Sequence, residues 1–144
     1  MIKDGKNPYF VKELNTGYVV IGDFQRFKGY ALFLYKHHKT ELNQLSEDER
    51  ALFMKEMCEV AEAVKKASDA QKINYELLGI GDTHLHWHLF PRSIGDLGEY
   101  GNNGNGPVWW YPRKKMYAEC NRPSDEELHE MKTKLLSKLN GGNL

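Results

Sequence analysis

The chain has 144 residues, a length that suits one domain around one hydrophobic core. Lys+Arg and Asp+Glu are both 20, and the resulting zero net charge excludes the strongly basic footprint of a nucleic-acid polymer binder. It leaves room for a nucleotide, which needs only a local cluster of donors.

No apolar run approaches the ~18–20 residues that span a bilayer, so no membrane association is expected. The opening Met1-Ile2-Lys3-Asp4-Gly5-Lys6-Asn7-Pro8 has no apolar segment of signal-peptide type. Cys58 and Cys120 lack a Cys-x-x-Cys spacing, which implies reduced thiols and a cytoplasmic protein.

Taken in order, Tyr9 to Leu14 reads as a strand, Asn15-Thr16-Gly17 as a turn, and Tyr18 to Asp23 as the returning strand of a hairpin. Phe24 to Lys28 links through Gly29 to Tyr30–Tyr35, a nearly continuous apolar run that predicts a central strand covered on both faces. Ser46-Glu47-Asp48-Glu49 carries a capping-box pattern with acids in the first helical turn. Phe53, Met57, Val60, Ala61 and Val64 follow at helical spacing and Lys65-Lys66 close it, predicting a long helix over 47–68.

Ile73 to Leu78 predicts a fourth strand, ended by Gly79 and Gly81. From 93 to 107, five glycines and three asparagines mark a long loop, readable as a lid or as a tolerated insertion. Val108-Trp109-Trp110-Tyr111 is a dense aromatic patch, followed by Arg113-Lys114-Lys115. Pro123 to Glu127 repeats the capping signature; Leu128, Met131, Leu135 and Leu139 predict a helix over 124–140, ended by Gly141-Gly142. Three strands before the first helix favour an antiparallel α+β domain over a doubly wound parallel one.

Between Gly81 and the long loop lies His84-Leu85-His86-Trp87-His88-Leu89-Phe90, which holds three of the chain's six histidines. In an extended strand the imidazoles share one face at ~6.5–7 Å spacing, and Leu85, Trp87 and Leu89 face a core. Pro91 is expected to stop the strand. Three such rings suit a small charged reacting centre; the alternative is a zinc site, since His-x-His on a strand can ligate through neutral imidazoles.

The segment resembles the histidine triad (HIT) family motif His-φ-His-φ-His-φ-φ, with φ apolar, at all seven positions. Gly29-Tyr30-Ala31-Leu32-Phe33-Leu34-Tyr35-Lys36-His37-His38 is similar to that family's Gly-His-φ-φ-φ-φ-Pro-Lys-x-His segment. The resemblance implies a single HIT-like domain over 1–144, with about five antiparallel strands, one long helix and a C-terminal helix. It also implies a homodimer, and the Trp109–Tyr111 patch is read first as its interface, with base stacking as the alternative.

Phosphoryl and nucleotidyl transfer demand positioning, charge stabilisation and a leaving group that can depart. Imidazole is a competent nucleophile at neutral pH, and a covalent intermediate splits one hard step into two. The central ring, His86, flanked by donors on both sides, is assigned the attack on the α-phosphorus, giving a nucleotidyl-histidine. His88 donates toward the leaving oxygen. The resemblance implies that the His84 carbonyl accepts from the far nitrogen of His86 and sets its tautomer.

Two positions depart from the family pattern. Tyr30 stands where many members carry a fourth histidine; it can donate one hydrogen bond but cannot become cationic. Ile80 stands at the place of a phosphate-holding glutamine. The substrate phosphate is therefore expected on backbone N–H groups around Gly79 and Gly81, with Thr83 and Asn74 as polar alternatives. Asp23 is read either as a ribose-binding acid or as a turn acid, and Arg92 with Arg113-Lys114-Lys115 as attractors of distal phosphates or as surface charge.

No cofactor or metal is required, although Mg²⁺ can accompany a polyphosphate. The expected function is hydrolysis or transfer on a nucleoside phosphoanhydride or phosphoramidate, with diadenosine tetraphosphate as the best single substrate. The alternatives are a nucleotide-binding module with little catalysis and a zinc protein.

Overall fold

The computed structural model describes residues 5–141; the expectations placed on residues 1–4 and on Gly142 lie outside these. Five strands form one antiparallel sheet: β1 (Phe10–Glu13), β2 (Gly17–Ile21), β3 (Ala31–Tyr35), β4 (Lys72–Glu76) and β5 (His86–Arg92), in the order β1-β2-β3-β5-β4. The helices are α1 (Glu47–Ser68), the single turn α2 (Arg113–Met116) and α3 (Asp125–Leu139). The α+β class and the element order are as the sequence predicts. Among the described residues no helix is long and apolar enough to cross a membrane.

α1 has the predicted bounds. Phe53, Met57, Val60, Ala61 and Val64 are buried with Val19, Ala31, Phe33, Tyr35, Trp87 and Leu89 beneath them, so the core is the layer between α1 and one sheet face. Ser46 caps the helix by accepting from the Glu49 N–H at 3.1 Å. The capping box is not closed there, because the Glu49 carboxylate accepts from the Tyr35 hydroxyl at 3.0 Å instead. At α3 the box is complete: Ser124 Oγ accepts from Glu127 N, and the Glu127 carboxylate accepts from Ser124 N.

Three sequence expectations are corrected. β3 is central in the sheet but covered on one face only: Ala31, Phe33 and Tyr35 are buried, whereas Leu32 and Leu34 are half-exposed on the face opposite α1. β4 ends at Glu76, two residues early, and leaves Leu77 and Leu78 exposed. Pro91 does not stop β5, which pairs through Pro91 with Ile73 and on to Arg92. Odd residues of β5 aim their backbone groups at β3, as in the bond from Tyr35 N to Leu85 O, and β3 begins only opposite Leu89. The N–H that proline lacks therefore had no partner to lose.

The 93–107 segment is a packed loop. Leu97 is fully buried against Phe27, Phe90, Val108 and Met116 in a second apolar cluster. Arg92 grips Asp96 with both Nε (2.8 Å) and Nη2 (2.7 Å), and Arg26 donates to the Asp96 carbonyl.

Candidate active site

The pairing register sets the site. Leu32 lies opposite His88 and Leu34 opposite His86 on β3, while Glu76 lies opposite His88 on β4. His86, His88 and Phe90 share the sheet face that α1 leaves open, and Leu85, Trp87 and Leu89 point into the core. His84 precedes β5, and its ring turns toward the end of β3, where Nε2 donates to the Tyr35 carbonyl at 2.6 Å. Two rings of the three therefore face each other, while the third turns away to the Tyr35 carbonyl.

The hydrogen bonds fix the tautomers. His86 Nδ1 lies 2.5 Å from the His84 carbonyl, which can only accept, so Nδ1 carries the proton and Nε2 keeps its lone pair. His86 Nε2 is 2.9 Å from His88 Nε2, so in the neutral pair His88 holds its proton on Nε2 and donates. His88 Nδ1 is then an acceptor, and the Tyr30 hydroxyl, 2.6 Å away, donates to it. The result is one directed chain: Tyr30 O–H to His88, His88 to His86, His86 to the His84 carbonyl.

The electrostatics agree with this direction. Burial, and secondarily the His86 charge, push the His88 pKa down to about 4, with Asp82 opposing weakly. Burial holds the Tyr30 phenol far above its ordinary range, helped by Tyr117, Glu76 and Asp23, so it remains a neutral donor. Burial also raises the Glu76 carboxyl, against the pull of Arg92.

Tyr30 is held by Phe90 and Gly29 of the two motif segments and by Gly22 and Gln25, which the sequence did not single out. Its ring stacks on Phe90 with centroids 4.2 Å apart and planes 2° off parallel. Gly22 lies against the other contour of the ring, where a Cβ would come within 2.2 Å of it. Buried Gln25 donates to the Gly22 and Tyr30 carbonyls, both at 2.9 Å, and accepts from Gly29 N at 2.7 Å. The polar residue Gln25 between two apolar segments is the only sequence hint of this clamp.

The remaining sequence-predicted residues divide. Gly79, Gly81 and Thr83 lie in an exposed loop before His84; Ile80 is 96% exposed, and neither glycine has the positive φ of an anion-binding nest. Asn74 is turned to Arg92, accepting from its Nη1 at 2.6 Å. Asp23 is exposed beyond the end of β2.

Lys36 pairs with Glu13 at 2.6 Å, and His38 lies 5.9 Å from His84, ring to ring. Trp109 is 73% exposed, in edge contact with Trp110, whereas Val108 and Tyr111 pack into the second apolar cluster, so the patch is divided between surface and core. Among the described residues no three His, Cys, Asp or Glu side chains are arranged to hold a metal ion, in keeping with the commitment of His84 Nε2 to a carbonyl. A cavity of about 440 Å³ lies elsewhere, on the helix side, between Ser68 of α1 and Met131 of α3. The facing rings of His86 and His88 instead lie on the sheet face opposite α1.

Comparison with known proteins agrees with this geometry. The family model "HIT domain" matches residues 9–94. No curated protein matches the chain. Among solved structures, a HIT protein from Sinorhizobium meliloti is 23% identical, over 90% of this chain and 87% of that one, with a TM-score of 0.74. A histidine triad protein from Bradyrhizobium japonicum is 21% identical over 90% and 89%, also at 0.74. A diadenosine triphosphate hydrolase from Plasmodium falciparum is 13% identical over 94% and 79%, at 0.63. With the triad chain and the five-stranded sheet that presents it, the match over residues 9–94 places this chain in the histidine triad family.

Proposed function

We propose that the chain is a nucleotide hydrolase or nucleotidyl transferase that opens a nucleoside phosphoanhydride or phosphoramidate through a nucleotidyl-His86 intermediate. A dinucleoside polyphosphate such as diadenosine tetraphosphate is the best single substrate, and a cytoplasmic homodimer, joined through the exposed Trp109–Trp110 patch, is the working form. The observation that carries the reading is the Nδ1–H of His86 held by the His84 carbonyl, which leaves Nε2 as a free nucleophile. The same fold serves diadenosine triphosphate hydrolysis in the Plasmodium falciparum protein.

His86 Nε2 attacks the α-phosphorus, the bridging P–O bond breaks, and the leaving phosphate departs. His88 Nε2–H moves its hydrogen bond from His86 to the substrate oxygens. Water then attacks the phosphorus, and the Nε2–P pair returns to His86. Binding of a nucleotide with little turnover is the second reading, favoured by the exposed Gly79–Thr83 loop, where Ile80 cannot donate to a phosphate.

Phosphorus NMR over a panel of dinucleoside polyphosphates and phosphoramidates tests both readings. His86→Asn should abolish turnover and the acid-labile nucleotidyl-enzyme while retaining AMP binding. Turnover equal to wild type in that variant refutes the nucleophile assignment. AMP binding with no hydrolysis anywhere in the panel selects the second reading.

A further inference from the structure

The contact between Tyr30 and His88 limits which leaving groups the site can expel. His88 Nε2 faces His86 Nε2 at 2.9 Å, and His86 cannot donate there because its proton is on Nδ1. If Tyr30 accepted a proton from His88 Nδ1 in the neutral pair, two lone pairs would face each other across that gap. The phenol O–H must therefore point at Nδ1.

To place a second proton on His88, the O–H would have to swing away. Among the described residues the Tyr30 hydroxyl makes no other hydrogen bond. It would lose its acceptor inside a stack that Phe90 closes on one side and Gly22 on another. Unlike the histidine that many relatives carry at this place, a phenol cannot pass a proton on and reload from solvent; burial keeps it neutral. His88 is therefore a one-proton hydrogen-bond donor, and surrendering that proton would leave an imidazolate.

We infer that this site serves leaving groups that depart unprotonated, so that it cleaves phosphoanhydrides of the dinucleoside polyphosphate type and not phosphoramidates of alkylamines, and that Tyr30 is the positioning residue that imposes the choice. The inference rests on the reading of His86 as the nucleophile.

The chemistry of the two classes decides it. When His86 Nε2 attacks, the electron pair of the breaking P–O bond goes to a phosphate oxygen, which is stable as an anion near neutral pH. No proton is consumed in that step, and the proton later released by the attacking water goes to solvent. In a phosphoramidate the pair of the breaking P–N bond goes to an amine nitrogen, which cannot leave as an amide anion and must take a proton in the transition state. Glu76, opposite His88 on β4, is the carboxyl in register with His88, with Asp82 acting on His88 and Asp23 on Tyr30 from further off.

The test compares kcat/KM for diadenosine tetraphosphate and for an alkylamine adenosine 5′-phosphoramidate at neutral pH, in the full chain and in Tyr30→His, Tyr30→Phe and Glu76→Gln. The wild type should prefer the phosphoanhydride on the order of 100-fold, the scale of losing general-acid help to the leaving group. Tyr30→His should narrow the preference by about tenfold, mainly by raising phosphoramidate turnover. Tyr30→Phe should slow the phosphoanhydride by about tenfold, through kcat rather than KM, because His88 is free to adopt the wrong tautomer. Thermal melts of each variant separate these effects from loss of folding.

Wild-type cleavage of the phosphoramidate within about tenfold of the phosphoanhydride overturns the inference. So does a folded Tyr30→Phe variant with wild-type rates. Phosphoramidate cleavage that disappears in Glu76→Gln also overturns it, by assigning the proton to Glu76. If neither substrate is cleaved and no nucleotidyl-enzyme can be trapped, the nucleophile reading itself falls, and this inference falls with it.

Discussion

Acidification from about pH 7.5 to about pH 4.5 should destabilise the protein through His88 in particular. The ring titrates near an ordinary value in the unfolded chain and at about 4 in the fold, where burial and the facing His86 ring oppose its charge. Between those two values the unfolded state binds a proton that the folded state refuses, so stability rises with pH across this window. The contribution is fully present above the unfolded pKa and is lost as pH falls toward 4. A shift of this size corresponds to about 3 kcal/mol at 1.36 kcal/mol per unit; the ring is partly solvated, and screening reduces the expected loss to about 1.5 kcal/mol.

The assay is urea unfolding at several pH values for the wild type and for His88→Gln, with the difference between the two curves as the readout. Glu76, whose raised carboxyl titrates with the opposite sign, cancels in that difference, as does Asp96. Burial would raise Asp96, but the hydrogen bonds from Arg92 and Ser93 N hold it low. Superimposable pH dependences, or an NMR titration of the His88 ring near pH 6.5, would refute the directed hydrogen-bond chain.

Four substitutions probe the supports. His84→Ala keeps the backbone carbonyl that orients His86 and removes only the ring bond to Tyr35, so kcat should fall by roughly fivefold, against complete loss in His86→Asn. Gly22→Ala drives a methyl into the Tyr30 ring; it should cost about 1–3 kcal/mol in urea unfolding and raise the His88 pKa measured by NMR. Gln25→Leu strands the Gly29 N–H and the Gly22 carbonyl, while the Tyr30 carbonyl keeps its bond from Gly22 N; it should destabilise by about 1–3 kcal/mol while slowing turnover of any substrate that needs Tyr30. Glu56→Ala removes a buried carboxylate that accepts from Asn15 N, Thr16 N and the Thr16 hydroxyl, tying α1 to the β1–β2 turn; unfolding should show a loss of about 2–4 kcal/mol with kcat little affected.

What the sequence discloses here is whatever repeats with the period of a single element. Alternation over 84–90 sorts three histidines from three core residues, and the 53–57–60–64 stripe locates α1 and its buried face. Glu56 lies inside that stripe, so its burial is legible in position though not in chemistry: helical spacing gives the face, and the donors of Asn15 and Thr16 come from another element. The 93–107 segment reads as loose because glycine and asparagine dominate it. Its order comes from buried Leu97 with Tyr100 packed against the same cluster, and from an Arg92–Asp96 pair at i,i+4 outside any helix.

The machinery around His86 follows a different rule, because it depends on which β3 residue faces which β5 residue. With Ala31 opposite Leu89, Tyr30 falls beside Phe90 and within reach of His88; a slip of one residue would send Tyr30 into the core face and leave His88 Nδ1 to water. Nothing in the spacing of 29–38 and 84–90 fixes that register. It is set by the Gly22–Gln25–Gly29 clamp at one end of β3 and by the bonds from Leu85 N to Lys39 O and from Tyr35 N to Leu85 O at the other. The same register explains why the His86 ring is firmly held while the Gly79–Thr83 loop is open. His86 is paired with Leu34 of β3 and held by the His84 carbonyl, whereas the loop leaves β4 at Glu76 with no partner strand until Leu85 bonds to Tyr35 and Lys39. If the loop closes on a bound phosphate, as the proposed function requires, the entropy of ordering it enters KM rather than the chemical step.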